Sequence, residues 1–274
     1  MLSAGRQLLT VDRFLLEVPM LLAIDIGNTN LTLGLYRGEE RVAAWRLATA
    51  HERMPDEYGL QLLGLLQHAG CAPADLHGAI LASVVPPLTG TLLQACETYL
   101  GCRPLVVDAG VKTGVRIHYD DPKAVGADRV VDAVAVHKLY GGPACVVDFG
   151  TATAFEAISA EGDFLGGAIA PGIGIAAEAL FQRTAKLQRV DLSRPPGPIG
   201  RNTVHAIQSG LLFGYVGLVE GMVVRFRKEL GPSMKVIGTG GLVDLIAAET
   251  DAIQIRAPWL TLDGLRLVWE MNQG

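Results

Sequence analysis

Leu21-Leu22-Ala23-Ile24-Asp25-Ile26-Gly27-Asn28-Thr29-Asn30 opens a pattern that returns 148 − 25 = 123 residues later as Cys145-Val146-Val147-Asp148-Phe149-Gly150-Thr151-Ala152-Thr153. In each copy an apolar run ends in Asp. A Gly follows two residues on, then small hydroxyl or amide side chains, then a second strand-like run. This predicts a strand–tight turn–strand hairpin, with Gly where backbone comes close to something else. Free backbone N–H groups and small polar side chains in such a turn suit phosphate. The Asp suits a metal ion that accompanies it. Two copies predict a duplicated fold that clamps a nucleotide between its halves.

Working outward, the first half reads as strands near 20–26, 31–36 and 42–47. A helix near 56–69, a strand near 78–84, a helix near 89–100, a strand near 104–107 and a helix near 125–139 follow. The second half repeats the order: strands near 144–149, 153–159 and 163–170, helices near 173–182 and 203–229, a strand near 234–237, a helix near 240–248, a strand near 252–255 and a helix near 261–271. Gly38-Glu39 and Gly162-Asp163 occupy corresponding turns. Three hairpin-linked strands followed by alternating helices and strands, twice over, describe a duplicated α/β protein with mixed sheets. The halves divide as 20–140 and 141–274. Residues 1–19 read as an N-terminal extension ahead of the first strand, with Asp12, Arg13 and Glu17 breaking any signal-peptide core.

Composition narrows the function. Half of the 274 residues are hydrophobic and 19% are charged, enough for a sizeable core. A net charge of −5 with no basic run argues against a nucleic-acid partner. Cys71, Cys96, Cys102 and Cys145 form no CxxC pair, so they read as reduced thiols of a cytoplasmic protein rather than zinc ligands. Gly210, Gly214, Gly217 and Gly221 share one face of the 203–229 helix with Ala206. Each Gly costs about 1 kcal/mol relative to Ala, so the stripe predicts close approach of another backbone. A second subunit is the favoured reading over a purely internal helix. His205, Gln208 and Glu220 interrupt the window that a membrane span needs.

Further candidates lie between the signatures and after them. Gly126-Ala127-Asp128-Arg129 precedes an apolar helical run. Asp128 is a helix cap, or a general base for an alcohol attacking a phosphoryl group. Gly166-Gly167-Ala168-Ile169-Ala170-Pro171-Gly172 and Gly238-Thr239-Gly240-Gly241 each join a strand to a helix, as a nucleotide contact or a plain turn. Asn202 or Thr203 caps the glycine-striped helix, whose N-terminus suits a carboxylate. Neither GxxxxGK[ST] nor a GxGxxG after the first strand is present, which excludes a P-loop and counts against a dinucleotide fold.

Together AIDIGNTN (23–30), SVVPPLT (83–89), YDDPKAVGADRVVDAVA (119–135), VVDFGTATAFEAI (146–158), GGAIAPGI (166–173), IGRNTVHAIQSG (199–210) and VIGTGG (236–241) resemble the type III pantothenate kinases. These belong to the superfamily of acetate and sugar kinases, heat-shock ATPase chaperones and actin. The resemblance implies duplicated RNase H-like (actin-like ATPase) domains with a nucleotide cleft between them. It also implies transfer of the γ-phosphate of ATP to pantothenate, the first step of coenzyme A synthesis. On that basis Asp25, Gly27, Asn28, Thr29 and Asn30 hold the ATP phosphates, with Asp25 near Mg²⁺. Gly150 and Thr151 also contact ATP, and Asp148 binds K⁺ or NH₄⁺. Asp128 is the base. Tyr119, Gly126, Ala127 and Arg129 line the pantothenate site. Thr203 reaches it from the partner subunit of a homodimer with shared sites. Ala154 and Glu156 stand where Thr and Asp are common in the family, Asp132 where Asn is usual, and Arg201 where Lys is frequent. A non-catalytic regulator on the same fold, or a kinase of another small alcohol, are the rival readings.

Overall fold

The computed structural model describes residues 20–273, so the predicted extension at 1–19 lies outside the described residues. The first half builds a five-stranded sheet in the order β3-β2-β1-β4-β5. Its strands are β1 (Met20–Ile26), β2 (Asn30–Arg37), β3 (Glu40–Ala48), β4 (Leu76–Ser83) and β5 (Leu105–Val106). The second sheet contains β6 (Ala144–Phe149), β7 (Ala152–Ile158), β8 (Phe164–Pro171), β9 (Lys235–Gly240) and β10 (Ile255–Arg256), ordered β10-β9-β6-β7-β8. Renumbered within each half, both orders are 3-2-1-4-5. In both, the first three strands pair antiparallel and the last two parallel. That identity of topology is the expected duplication of RNase H-like domains. Gly38 (φ 58°) and Gly162 (φ 91°) turn the corresponding hairpins in the left-handed region that favours glycine.

Strand alternation sorts the side chains into layers. In β1, Leu22, Ile24 and Ile26 face an outer core shared with Tyr58, Leu62 and Leu66 of α1 (Pro55–His68) and Leu88 and Leu92 of α2 (Pro86–Ala95). In β6, Cys145, Val147 and Phe149 face the other outer core, beneath Ile207, Leu211, Val219 and Val223 of α5 (Thr203–Leu230). The opposite faces of the two sheets look inward. Between them lie α3 (Ala127–Leu139) and α7 (Leu260–Met271), packed on each other. Val131 and Val134 of α3 join Leu21 and Ala23, whereas Val130, Ala133 and Val136 join Ala144 and Val146. Thus α3 serves both sheets. The C-terminal helix α7 crosses back, placing Leu262, Leu265 and Val268 on the first sheet. Gly264 permits the tight crossing, because a Cβ there would lie 2.3 Å from the Val131 carbonyl oxygen.

Several boundaries differ from the sequence reading. Strand β9 runs on through Gly238-Thr239-Gly240 instead of stopping at 237, and α6 is a short α-helix over Val243–Ala247 instead of 240–248. Gly240 (φ 89°) makes the bend. The last strand falls at Ile255–Arg256 instead of 252–255, because Ala252 and Ile253 fold into the core below α6. Helix α5 is long and apolar enough to cross a membrane by length and composition alone, yet one side of it roofs the second sheet. The connection from α4 (Ile173–Arg183) to α5 is tied down by Gln208, which donates to the Asp191 carbonyl and to Ser193, and by the Ser209 hydroxyl, which donates to the Pro198 carbonyl.

Candidate active site

Strand parity places the two signature carboxylates. Asp25 follows Leu21 and Ala23 on the inward face of β1, and Asp148 follows Ala144 and Val146 on the inward face of β6. Cross-strand register extends each into a row. In the first sheet Ala82, Asp25, Thr32 and Arg46 lie side by side. In the second the row is Thr239, Asp148, Ala154 and Ile169. The rows face one another across a cleft of about 240 Å³. Its floor includes Asp128, Arg129 and Asp132 from α3 and Trp259 and Thr261 from the start of α7.

The predicted residues converge on this cleft unevenly. Asp25, Gly27, Asn28, Asn30, Asp128, Arg129, Asp148, Gly150 and Thr151 line it. Thr29 stands at its mouth, where its hydroxyl is 2.7 Å from that of Thr151. Gly126 caps α3 with no side chain because the Asp128 carboxylate fills that space; a Cβ would be 2.4 Å from Oδ1. Ala127 begins the helix and is not a lining residue. Tyr119 lies outside the cleft, exposed, with its ring tilted against Phe164 at 6.3 Å. Thr203 is not brought to this cleft within one chain. It lines a separate open depression with Gly200, Arg201, Asn202 and Gly210.

Sequence reasoning missed Thr32, Arg46, Trp259 and Thr261. Hairpin register would have revealed the first two, since each is the direct neighbour of the last across the sheet from Asp25. No local signal points to Trp259 or Thr261, which arrive only because α7 folds back.

Asp128 sits in the first turn of α3, accepting the Arg129 backbone N–H at 2.8 Å. That position favours a carboxylate through the helix dipole, but burial outweighs it and raises the pKa. Burial, and then repulsion from Asp128, push Asp148 up to about 7. Burial drives Asp25 well above the usual carboxylate range, reinforced by Asp128 and Asp148. Glu156 is pushed up to about 8, chiefly by burial, against the pull of Arg129. Its Oε1 accepts from Arg129 Nε at 3.0 Å, and the guanidinium lies 5.0 Å from the Phe164 ring centroid. The longer carboxylate at 156 therefore orients Arg129, while Ala154 is the residue beside Asp148.

Five carboxylates and two guanidiniums line the cleft. Asp132 Oδ1 and Glu156 Oε2 are buried with no hydrogen-bond partner among the described residues. All the acidic donors are hard oxygens, and their mutual repulsion is relieved by cations. The set fits Mg²⁺ or a monovalent ion with a polyphosphate, and offers no thiolate or imidazole for a softer metal.

Comparison with known proteins agrees. The family model for type III pantothenate kinase matches residues 21–225. A type III pantothenate kinase from Roseiflexus sp. (strain RS-1) is 52% identical over 254 residues, 93% of this chain and 100% of that one. One from Moorella thermoacetica is 53% identical over 253 residues, 92% and 100% of the two chains. Among solved structures, a Baf family transcriptional activator from Campylobacter jejuni superposes with a TM-score of 0.58 at 18% identity, covering 92% of this chain and 98% of that one. That likeness speaks to the fold alone. With its duplicated sheets, its carboxylate-lined cleft and these relatives, the chain belongs to the type III pantothenate kinase family.

Proposed function

We infer that this cleft is where the family's reaction takes place: transfer of the γ-phosphoryl group of ATP to the primary hydroxyl of pantothenate, at the entry to coenzyme A synthesis. The observation that carries the reading is the convergence of Asp25, Asp128 and Asp148 on one cleft from three separate elements. Phosphoryl transfer asks for positioning and charge stabilisation more than covalent chemistry. The Asp25–Asn30 turn and the Gly150-Thr151 turn present backbone N–H groups and small hydroxyls to the phosphates from opposite walls. Asp25 would hold Mg²⁺, and Asp148 would hold K⁺ or NH₄⁺. When bound, these cations neutralise phosphate charge in an otherwise acidic cleft.

Asp128 is assigned as the base that accepts the proton of the pantothenate hydroxyl. Burial raises its pKa, which makes it a stronger base for that proton than an ordinary carboxylate. Arg129, fixed by Glu156 and Phe164, would hold pantothenate; Gly126, Ala127 and Tyr119 are assigned to the same substrate, although Ala127 does not line the cleft and Tyr119 lies outside it. Ile169, two-thirds exposed, adds an apolar surface there.

We assign a cytoplasmic homodimer with shared sites. Ala206, Gly210, Gly214 and Gly217 are exposed on α5, and among the described residues nothing beyond the helix's own backbone lies within 4 Å of a Cβ added at any of these three glycines. The close backbone approach that the stripe predicts is thus not made among the described residues of one chain. Thr203, at the head of the stripe, would complete the pantothenate site of a second copy.

A coupled assay for ADP release with pantothenate, ATP, Mg²⁺ and K⁺ tests the reading. Pantothenate-dependent turnover is expected. Turnover no greater than a pantothenate-free control overturns it in favour of a non-catalytic regulator, and turnover only with other alcohols reassigns the acceptor.

A further inference from the structure

Of the two guanidiniums in the cleft, Arg46 has no role in the scheme above. Arg46 ends the row that begins at Ala82 and Asp25, and its guanidinium lies over the indole of Trp259, 4.4 Å from the ring centroid. Its Nη2 donates to the Pro258 carbonyl oxygen at 3.0 Å. Nη1 stands 3.6 Å from where a Cβ on Gly241 would be, so the group reaches the Gly240-Gly241 bend of the second domain.

Its neighbours are electrically settled, whereas Arg46 is not. Arg41, also beside Trp259 at 5.7 Å, is paired with Asp263 at 2.7 Å. Arg129 is paired with Glu156. Among the described residues Arg46 forms no ion pair, and Pro258 is its one hydrogen-bond acceptor. A guanidinium carries five N–H donors, so most of its donor capacity is left for the cleft that it lines. Its charge also reaches Asp148, opposing the rise of that carboxyl's pKa.

The duplication sharpens the contrast. The equivalent place at the end of the second row is Ile169, an exposed hydrocarbon. One end of the cleft therefore carries a guanidinium with no ion pair beside the bend at Gly240, and the other carries Ile169 near an Arg129 already paired with Glu156. A polyphosphate entering between five carboxylates needs the first end. A stacked, pre-oriented guanidinium loses little freedom on binding an oxyanion.

We propose that Arg46, braced by the Trp259 ring and the Pro258 carbonyl, directly binds the polyphosphate chain of the nucleotide in this cleft. This rests on the kinase reading given above. A merely structural Arg46, tacking β3 to the start of α7, would affect all ligands alike.

Adenosine, AMP, ADP and ATP, with Mg²⁺, are titrated calorimetrically into the full chain and into Arg46→Gln and Arg46→Lys, alongside steady-state kinetics and thermal melts. Loss of charged hydrogen bonds predicts that Arg46→Gln weakens ATP by about 10- to 100-fold. ADP is weakened less, adenosine and AMP by no more than about twofold, and KM for pantothenate stays within about twofold. Arg46→Lys, which keeps the charge without the fork, falls between. Equal weakening of all four ligands, or unchanged ATP affinity, overturns the assignment. Should Arg46→Gln fail to fold, the ratio of ATP to AMP weakening in Arg46→Lys decides in the same way. Nucleotide binding without pantothenate turnover in the parent chain sinks the kinase reading while leaving Arg46 to be judged by the series. No nucleotide binding at all sinks both.

Discussion

The hydroxyls of Thr29 and Thr151 meet at 2.7 Å although 122 residues separate them in the chain. Each sits at the tip of its own domain's signature hairpin, so this contact joins the two walls of the cleft at the mouth. On the proposed reading, it would open or exchange partners when a phosphate enters between the tips. Thr29→Val and Thr151→Val are each expected to raise KM for ATP several-fold. The double variant should cost less than the product of the two, and a double-mutant cycle on KM measures that coupling.

Replacing Asp128 with Asn removes the proton acceptor while keeping shape and the N-terminal position on α3. A fall in kcat of about 10²- to 10⁴-fold is expected, the usual worth of a positioned base. The melting temperature should hold or rise, since a buried carboxylate whose pKa is raised is a destabilising charge. Retained kcat would remove Asp128 from the mechanism.

The cleft carboxyls make the ligand-free protein sensitive to pH. Asp148 and Glu156 titrate in the folded state near 7 and 8, above the unfolded values near 4. Across that window the unfolded chain has released protons that the folded chain still holds. Stability is therefore highest at the acid side and declines as pH rises from about 4.5 through about 8. Melting curves between pH 5 and 8.5 should show this slope. Added Mg²⁺ and K⁺ should flatten it, and Asp148→Asn should raise the melting temperature at pH 8 while abolishing the response to K⁺.

Gly264 is expected to tolerate no side chain. A Cβ would press to 2.3 Å from the Val131 carbonyl and 2.7 Å from its Cγ1, both on the helix that carries Asp128. Gly264→Ala should destabilise the protein by about 1–3 kcal/mol, the usual cost of overpacking, as read by urea denaturation. Because α3 shifts with it, kcat should fall as well.

On the α5 stripe the opposite holds, because among the described residues nothing nearby restricts a side chain at Gly214 or Gly217. Gly214→Leu should leave the folded monomer intact, yet halve the mass seen by light scattering and raise KM for pantothenate. A monomeric parent protein would remove the shared-site assignment.

Much of this protein was legible from residue order alone. The paired signatures, the alternation that turns Asp25 and Asp148 to the same inward side, and the start of the long helix at Thr203 all come from interactions within a few residues. Periodicity and turn chemistry report those directly. The end of β9 and the position of β10 were less legible, since glycines in GTGG permit strand and turn alike and the neighbouring sheet decides. What only the tertiary structure settled is long-range. The return of α7 delivered Trp259 and Thr261 to the cleft and set Trp259 against Arg46. The same folding gave Arg129 its partner, Glu156, and closed Thr29 onto Thr151. The physical reason is that a chain's local pattern fixes which face a side chain takes. Which distant face it meets depends on how two sheets and two helices pack together, and that is carried by contacts with no sequence proximity.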